Sequence, residues 1–196
     1  MSEAVENKPG VTAATDWRLR PASMEDLDGL LALTAKPEVY RFMFDGAAPE
    51  RPLLAERLAL FIANEAASGL GLWMLEQPGR AAGGAVWLEP NLAAREAEVS
   101  YLLDPALWGR GLAGRMAWTA VSRAFESPAI ECVFAGADAP NTASIAVLRR
   151  LGMRFRRAVT YPLGPGVEYE LHRGDAGPQP PPALLPLLGG STQETA

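Results

Sequence analysis

The segment from Leu102 to Arg115 constrains the fold of this chain more than any other segment. An apolar run ends at Asp104-Pro105, and glycines at positions 109, 111 and 114 then lead into a helical pattern. Glycine has no Cβ to block a ligand oxygen, and the first N–H groups of a helix point outward along a favourable dipole. The order strand, glycine turn, helix therefore predicts an anion site at the helix start. A purely architectural connection explains the glycines equally well.

The residues after these glycines exclude one common kind of anion site, the P-loop. A P-loop carries Lys-Ser or Lys-Thr directly behind its last glycine, whereas Gly114 is followed by Arg115-Met116. We therefore interpret the segment as a pyrophosphate site of a different lineage.

Length and composition fit one ordinary globular domain. The chain has 196 residues, of which 48% are hydrophobic, and this is enough for a buried core. The net charge of −5 argues against nucleic acid and acidic membrane surfaces as partners. No apolar run reaches the roughly 18 residues that a membrane-spanning helix needs. The polar N-terminal residues do not resemble a signal peptide.

The chain contains a single cysteine, Cys132, and a single histidine, His172. One cysteine excludes an internal disulfide and a thiolate metal cluster. One histidine argues strongly against a histidine-based zinc site and against a serine–histidine triad. We therefore expect no metal, a structural role for both residues, and a reducing, cytoplasmic location.

The apolar patterns predict a mixed order of strands and helices. Strands are predicted over residues 17–20, 71–76, 82–88, 96–103, 131–135, 154–161 and 167–173. Helices are predicted behind Ser23, with Asp26 at the capping-box position, and over residues 38–44, 51–67, 112–125 and 142–151. Tight turns are predicted around Pro78-Gly79 and around Gly164-Pro165-Gly166.

Both ends of the chain differ in composition from its centre. Residues 1–15 are polar, and we expect a flexible N-terminal segment there. Residues 174–196 form a proline-rich tail, whose Ala-Leu-Leu-Pro-Leu-Leu patch could dock on this chain or on a neighbour. The folded domain is accordingly expected over residues 16–173.

Several short segments between Trp17 and Arg173 occur in a characteristic order. They are Leu19-Arg20-Pro21 with Glu25-Asp26-Leu27, Pro37 to Met43, Ala97 to Tyr101, Trp108 to Ala113, Asn141 to Ser144, and Leu151-Gly152-Met153. Together they resemble the GNAT superfamily of acetyl-CoA-dependent N-acetyltransferases, and most closely its ribosomal-protein (RimJ/RimL-type) branch. The resemblance implies an α/β (α+β) fold with a mixed central sheet of about six to seven strands flanked by helices. It also implies direct acetyl transfer from acetyl-CoA to a primary amine, without a metal.

The resemblance implies a donor site formed mainly by backbone groups. The pyrophosphate would bind the amides of the glycine turn, which are those of Gly109, Arg110, Gly111, Leu112, Ala113 and Gly114. The pantetheine arm would pair with the end of the preceding strand, at about Leu102 and Leu103. Asn141 would contact the same arm, although asparagine at a helix start is explained by capping alone.

The resemblance also implies two catalytic candidates. Glu98 matches the acidic strand position of the family and shares a strand face with Ser100 and Leu102, so it is our candidate base. Glu96 lies on the same face and competes for this role. By the same resemblance, Ser144 would lie near the cofactor sulfur and help to protonate the leaving thiolate. Many superfamily members use a tyrosine further along this helix for that step, and this chain departs from them by having Leu148 at the matching position. A thiolate leaving group can also depart without a strong acid.

The acceptor is the least determined part of the sequence. The branch favours a protein N-terminal α-amino group, while a polyamine, an amino acid or an antibiotic is the alternative. A non-catalytic acyl-CoA sensor is a further alternative, and a homodimer is possible. Residues 38–62 and 160–168 should shape the acceptor site, where carboxylates would favour cationic acceptors and an open groove would favour peptides.

Overall fold

The computed structural model describes residues 17–77 and 82–175, which form one seven-stranded mixed sheet with helices on both faces. The strands are β1 (Arg18–Pro21), β2 (Leu72–Glu76), β3 (Gly84–Asn91), β4 (Glu96–Leu103), β5 (Cys132–Asp138), β6 (Arg154–Tyr161) and β7 (Gly164–His172). Their order in the sheet is β1-β2-β3-β4-β5-β7-β6. The helices are α1 (Leu27–Thr34), α2 (Pro37–Tyr40), α3 (Arg51–Ser68), α4 (Leu112–Glu126) and α5 (Thr142–Arg150). The predicted mixed sheet with flanking helices is therefore confirmed.

Three of the sequence predictions concern other parts of the chain. The N-terminal segment, the tail beyond Asp175 and the turn at Pro78-Gly79 lie outside the described residues. Within the described ranges, no helix combines the length and the apolar character needed to cross a membrane.

The alternation of β4 builds a separate core on each face of the sheet. Val99 and Leu103 pack with α4 and α5 on one face, whereas Leu102 packs with α1 and α3 on the other. On α4, Met116 and Ala120 lie one turn apart and are both buried. The short alanine side chain lets the helix axis approach the sheet, so that the start of α4 is held firmly beside the end of β4.

The two central parallel strands pair over only part of their length. β4 and β5 are joined from Glu96 opposite Cys132 to Glu98 opposite Phe134. β4 then continues to Leu103 and β5 to Asp138 without further pairing between them. A wedge-shaped gap therefore lies between these strands at the end where the glycine turn begins.

The predicted turn at Gly164-Pro165-Gly166 is wrong. The β6–β7 hairpin turns at Pro162 and Leu163, because Tyr161 already pairs with Gly164. Gly166 lies inside β7, where the ring of Tyr161 occupies the space that a Cβ would need. This glycine permits a close approach of side chain to backbone and does not make the turn.

The predicted helix over residues 38–44 and the predicted end of β5 also need correction. α2 ends at Tyr40, and Phe44, Asp45 and Gly46 have φ angles of 49°, 56° and 78°, which a right-handed helix cannot contain. β5 continues beyond Ala135 to Asp138 because β7 pairs with it as far as Gly166. As a result, Asp45 lies in a loop after α2 and Asp138 lies at the end of β5. The sequence patterns predicted neither position.

Candidate active site

The glycine turn joins β4 to α4 through two left-handed residues. Gly109 has a φ of 75°, and Gly111, the residue before α4, has a φ of 74°. A Cβ added at either position would meet no atom within 4 Å. The backbone conformation therefore requires these glycines, and the space above them is open to a ligand.

The first turn of α4 has the geometry expected of an anion site. The first intrahelical bond from this end runs from the N–H of Arg115 to the carbonyl of Gly111, at 3.2 Å. The N–H groups of Leu112, Ala113 and Gly114 precede this bond and lack helical acceptors. A Cβ at Gly114 would only touch Val147 at 4.0 Å, so this face is also uncrowded. The segment fits a pyrophosphate, and Arg110 lies exposed beside it.

The gap between β4 and β5 exposes backbone groups of β4. Asp104 donates its N–H to Gly83 at 2.8 Å, which fixes the alternation of bonds along the β3–β4 ladder. By this alternation Leu102 directs its backbone groups toward β3, while Tyr101 and Leu103 direct theirs toward the gap. Of the two residues expected to offer backbone groups, Leu103 therefore faces the gap and Leu102 does not, while Tyr101 faces it as well.

Trp108 bonds to this free strand edge. Its indole N–H donates to the carbonyl of Leu103 at 3.0 Å, and its side chain is about half exposed. Trp108 therefore lies on the surface, beside the gap-facing edge of β4 and next to the glycine turn.

The start of α5 lies on the other side of the gap and holds Ser144. Asn141 caps α5, since its side-chain oxygen accepts the N–H of Ser144 at 3.2 Å, as expected for a helix start. The Ser144 hydroxyl lies 2.7 Å from the Tyr101 hydroxyl. Burial raises the pKa of Tyr101 to about 12, so this phenol stays protonated at neutral pH. Leu148, one turn further on, is fully buried.

Tyr101 is not among the catalytic candidates that the sequence indicates. Strand alternation could have predicted the direction of its side chain, because residues 99, 101 and 103 point to the side of the sheet where α5 packs. The identity of its partner depends on the tertiary structure.

The two acidic candidates on β4 have different environments. Arg156 binds both carboxylate oxygens of Glu96, at 3.0 and 3.1 Å. The carboxylate of Glu98 makes no hydrogen bond or ion pair within the described part of the chain. Burial raises the pKa of Glu98, and the charges of Glu89 and Glu168 raise it further, against a smaller opposing effect of Arg57. Of the two carboxylates, Glu98 is therefore the better proton acceptor, because its pKa is raised and Glu96 is bound in an ion pair.

Glu98 lies in the wall of a cavity of about 170 Å³. The cavity lies between the loop after α2, the end of β5 and the β6–β7 turn, so the two segments expected to shape the acceptor site meet here. Its other lining residues are Phe42, Met43, Phe44, Asp45, Gly136, Ala137, Asp138, Tyr161, Pro162 and Leu163. Asp45 and Asp138 are site residues that the sequence analysis missed.

A second, more apolar cavity of about 280 Å³ lies beside the first. It is lined by side chains of α1, α3 and strands β2 to β4, and Met43, Phe44 and Asp45 contribute to both cavities. Its charged lining residues besides Asp45 are Arg57 and Glu89, which bind each other at 3.1 Å.

One group of metal-ligand residue types lies outside this site. Ligand atoms of Cys132, Glu170 and His172 lie within 4.8 Å of one another, which the sequence did not predict. Burial, with the charges of Glu170 and Glu96, raises the pKa of the Cys132 thiol to about 11. A thiol in this state is a poor ligand because metals bind the thiolate, and we assign no role to the trio. Cys132 is buried, as expected.

A mixed sheet whose central strands separate beside a helix start open to an anion, next to a half-buried carboxylate, is typical of one class of protein: an enzyme that holds a phosphate-bearing co-substrate between two strands. The chain belongs to the GNAT acetyltransferase family, because the family model described as acetyltransferase (GNAT) domain matches residues 17–154. The protein is therefore an acyltransferase.

Solved structures share the same fold at low sequence identity. One is an acetyltransferase from Salmonella typhimurium that modifies the N-terminal serine of ribosomal protein L7/L12, with 17% identity, 82% of this chain and 96% of that chain covered, and a TM-score of 0.68. RimL in complex with coenzyme A has 16% identity, coverages of 81% and 95%, and a TM-score of 0.67. An acetyltransferase from Agrobacterium tumefaciens has 21% identity, coverages of 88% and 100%, and a TM-score of 0.67.

Proposed function

We propose that the protein transfers an acetyl group from acetyl-CoA directly to a primary amine. The observation that carries the proposal is the position of Glu98, an unpaired carboxylate with a raised pKa at the point where β4 and β5 separate. The donor would enter the gap from the glycine turn, and the amine would approach through the cavity that Glu98 lines.

The donor site would be formed by backbone groups along a continuous path. The N–H groups around Gly111 and Leu112 would bind the pyrophosphate. The gap-facing edge of β4, at Tyr101 and Leu103, would pair with the amides of the pantetheine arm, beside the bond from Trp108 to the Leu103 carbonyl. Asn141 lies across the gap and would contact the same arm while it caps α5. Acetyl-CoA supplies a thioester whose carbonyl carbon the amine attacks.

Glu98 would act as the base in this reaction. An amine attacks as the neutral form and becomes positively charged, so a proton must leave its nitrogen. A carboxylate with a raised pKa accepts that proton more readily than an ordinary one. Glu96 is the weaker candidate because its oxygens are already bound to Arg156.

The departing thiolate would receive its proton from the Ser144 hydroxyl. The Tyr101 hydroxyl lies 2.7 Å from that of Ser144 and can replace the proton that Ser144 gives up. Such a pair would do the work of the tyrosine that α5 lacks at Leu148.

Two classes of acceptor are compatible with this chemistry. The similar structures named for ribosomal N-terminal acetylation support a protein N-terminal α-amino group. The acidic lining of the first cavity supports a small cationic amine such as a polyamine. A non-catalytic acyl-CoA sensor is disfavoured because a sensor has no need of a base at Glu98.

An acceptor screen tests the proposed function. The protein is incubated with acetyl-CoA and with N-terminal peptides, polyamines, amino acids or aminoglycosides, and the release of free CoA thiol is measured. Release that depends on one class of amine supports the enzyme. Tight acetyl-CoA binding without release in the presence of any amine would favour the sensor.

A further inference from the structure

The first cavity is more acidic than the reaction alone requires. Asp45, Glu98 and Asp138 all contribute to its lining, and no lysine, arginine or histidine is among the described residues that do so. Arg57, the cation that acts on Glu98, lies in the wall of the second cavity and is bound to Glu89. Proton transfer from the amine needs only one carboxylate, so two further carboxylates remain unexplained.

Asp138 is the strongest sign of a missing partner. It is only 9% exposed, and its Oδ1 atom is buried without a hydrogen-bond partner in the described part of the chain. A buried carboxylate oxygen without a partner is costly, because it has lost its water and gained nothing in return. Burial raises the pKa of Asp138, and the charge of Asp45 raises it further. A cationic N–H donor would satisfy this oxygen.

The backbone that presents Asp45 is conformationally costly. Phe44, Asp45 and Gly46 are successive left-handed residues, and this conformation is unfavourable for Phe44, whereas an aspartate tolerates it better. The loop packs closely against the hairpin turn, since a Cβ added at Gly46 would lie only 3.1 Å from the side chain of Leu163. Such local strain is found at ligand sites, and here it holds one carboxylate near another.

These observations divide the cavity into two parts with different tasks. Glu98 lies at the separation of β4 and β5, where the reacting nitrogen must be. Asp138 and Asp45 lie at the end of β5 and at the cavity rim. We propose that Asp138 and Asp45 bind a second positive charge on the acceptor, so that the preferred acceptor is a primary amine carrying another cationic nitrogen.

This inference rests on the proposed function and names its acceptor class. The second nitrogen can belong to a small polyamine or to a basic side chain next to a peptide N-terminus. The chemistry recognised at Asp138 is the same in both cases.

A pair of matched acceptors tests the inference. Putrescine and butylamine differ mainly in the second ammonium group, so their kcat/KM ratio at saturating acetyl-CoA measures its recognition. We expect putrescine to be favoured about tenfold or more, as for hydrogen bonds to charged groups. The preference should weaken as salt is added, because ionic interactions at a cavity rim are screened.

Two variants assign the preference to the named residues. Asp138→Asn and Asp45→Asn should each reduce the putrescine-to-butylamine ratio about tenfold. Asparagine tolerates the left-handed conformation, so Asp45→Asn keeps the loop even if Asp138→Asn folds poorly. Asp28→Asn is the control: it removes a carboxylate of α1 whose side chain is 80% exposed and does not line the cavity, and its ratio should match that of the unmodified protein.

A peptide pair separates the two sources of the second charge. Peptides beginning Ser-Lys and Ser-Gln are compared in the same assay. A charge preference in the peptide pair identifies a basic N-terminus, and a preference only in the amine pair identifies a polyamine. If neither pair shows a preference, or if Asp138→Asn and Asp45→Asn leave it intact, the inference is wrong.

A binding measurement tests the second-charge site separately from the proposed acetyl transfer. If no amine releases CoA, the proposed function fails. Calorimetric titration of putrescine into the CoA-saturated protein then still tests the subsite, because binding that Asp138→Asn abolishes supports it and the absence of binding refutes it. If both amines are acetylated equally well, the function stands and the subsite does not exist.

Discussion

The donor side and the acceptor side of this molecule are built in different ways. The donor side is a short continuous segment, from Leu103 through Gly111 into α4, and it offers backbone groups. The acceptor side combines residues from four separate segments, three of which contribute the carboxylates Asp45, Glu98 and Asp138. Such a fold can keep the same donor substrate while its acceptor specificity changes. The reason is that side chains of the acceptor site can be substituted without disturbing the backbone that forms the donor site.

The largest effect is expected at the residue where the two sides meet. Glu98→Gln removes the base, and kcat should fall about 10²- to 10⁴-fold, with the affinity for acetyl-CoA largely kept. Because the pKa of Glu98 is raised, the activity of the unmodified enzyme should fall as the pH drops through that raised value, and the variant should lose this limb of the profile. Steady-state kinetics against pH measures both effects.

Thermal unfolding of Glu98→Gln supplies the control. A group whose pKa is raised on folding contributes stability below its ordinary pKa, and this contribution is lost as the pH rises through the raised value. At neutral pH the variant should therefore unfold at a Tm no lower than that of the unmodified protein. Unchanged kcat would show that the base is another residue, with Glu96→Gln the next variant to measure.

The second effect should be confined to the donor side. Gly111→Ala places a Cβ on a left-handed residue, where it is strained and points into the space open to the pyrophosphate. We expect the KM for acetyl-CoA to rise about tenfold, while the KM for the amine changes little. Gly174→Ala is the matched control, since Gly174 has a φ of 85° and open space but lies far along the chain from the site. Equal donor KM values for both variants would contradict the assignment of the glycine turn.

The same contrast explains how much of the site could be predicted. The local structure of the proposed donor side was predictable, because the conformations of Gly109, Gly111 and the capping residue Asn141 depend on local sequence. Glu98 was placed on the right strand face by alternation, but its distinction from Glu96 depends on Arg156, which is remote in sequence. Those contacts exist only in the folded chain.

The acceptor side was not predictable for a related reason. Asp45 follows residues with a helical pattern, which tertiary contacts override. Asp138 lies two residues after Gly136, a residue type that often ends a strand. Here the glycine instead makes room for the side chain of Tyr161, and the strand continues. The strand pairing that extends β5 comes from β7, some thirty positions later. Sequence periodicity describes one element at a time, whereas this cavity is formed by four separate segments of the chain.

A third, smaller effect is expected across the gap. Ser144→Ala and Tyr101→Phe each remove one hydroxyl of the bonded pair, and kcat should fall about five- to tenfold with both KM values kept, because a thiolate needs only modest assistance to leave. Ser144→Thr should restore most of the rate. Thr119→Val, which removes a hydroxyl bonded to the carbonyl of Arg115 on α4, should leave kcat unchanged. A loss in Ser144→Ala that threonine does not rescue would indicate a packing role.

The smallest effect should come from Trp108, which joins the two parts of the donor side. Trp108→Phe keeps the ring surface but removes the N–H that donates to Leu103 at the free edge of β4. If this bond holds the strand edge in place for pairing, the Kd for acetyl-CoA should rise about two- to threefold. Calorimetric titration measures the change, with kcat at saturating donor as the control. Tighter binding would mean instead that the indole N–H competes with the donor for the Leu103 carbonyl, and that the strand edge is rigid without it.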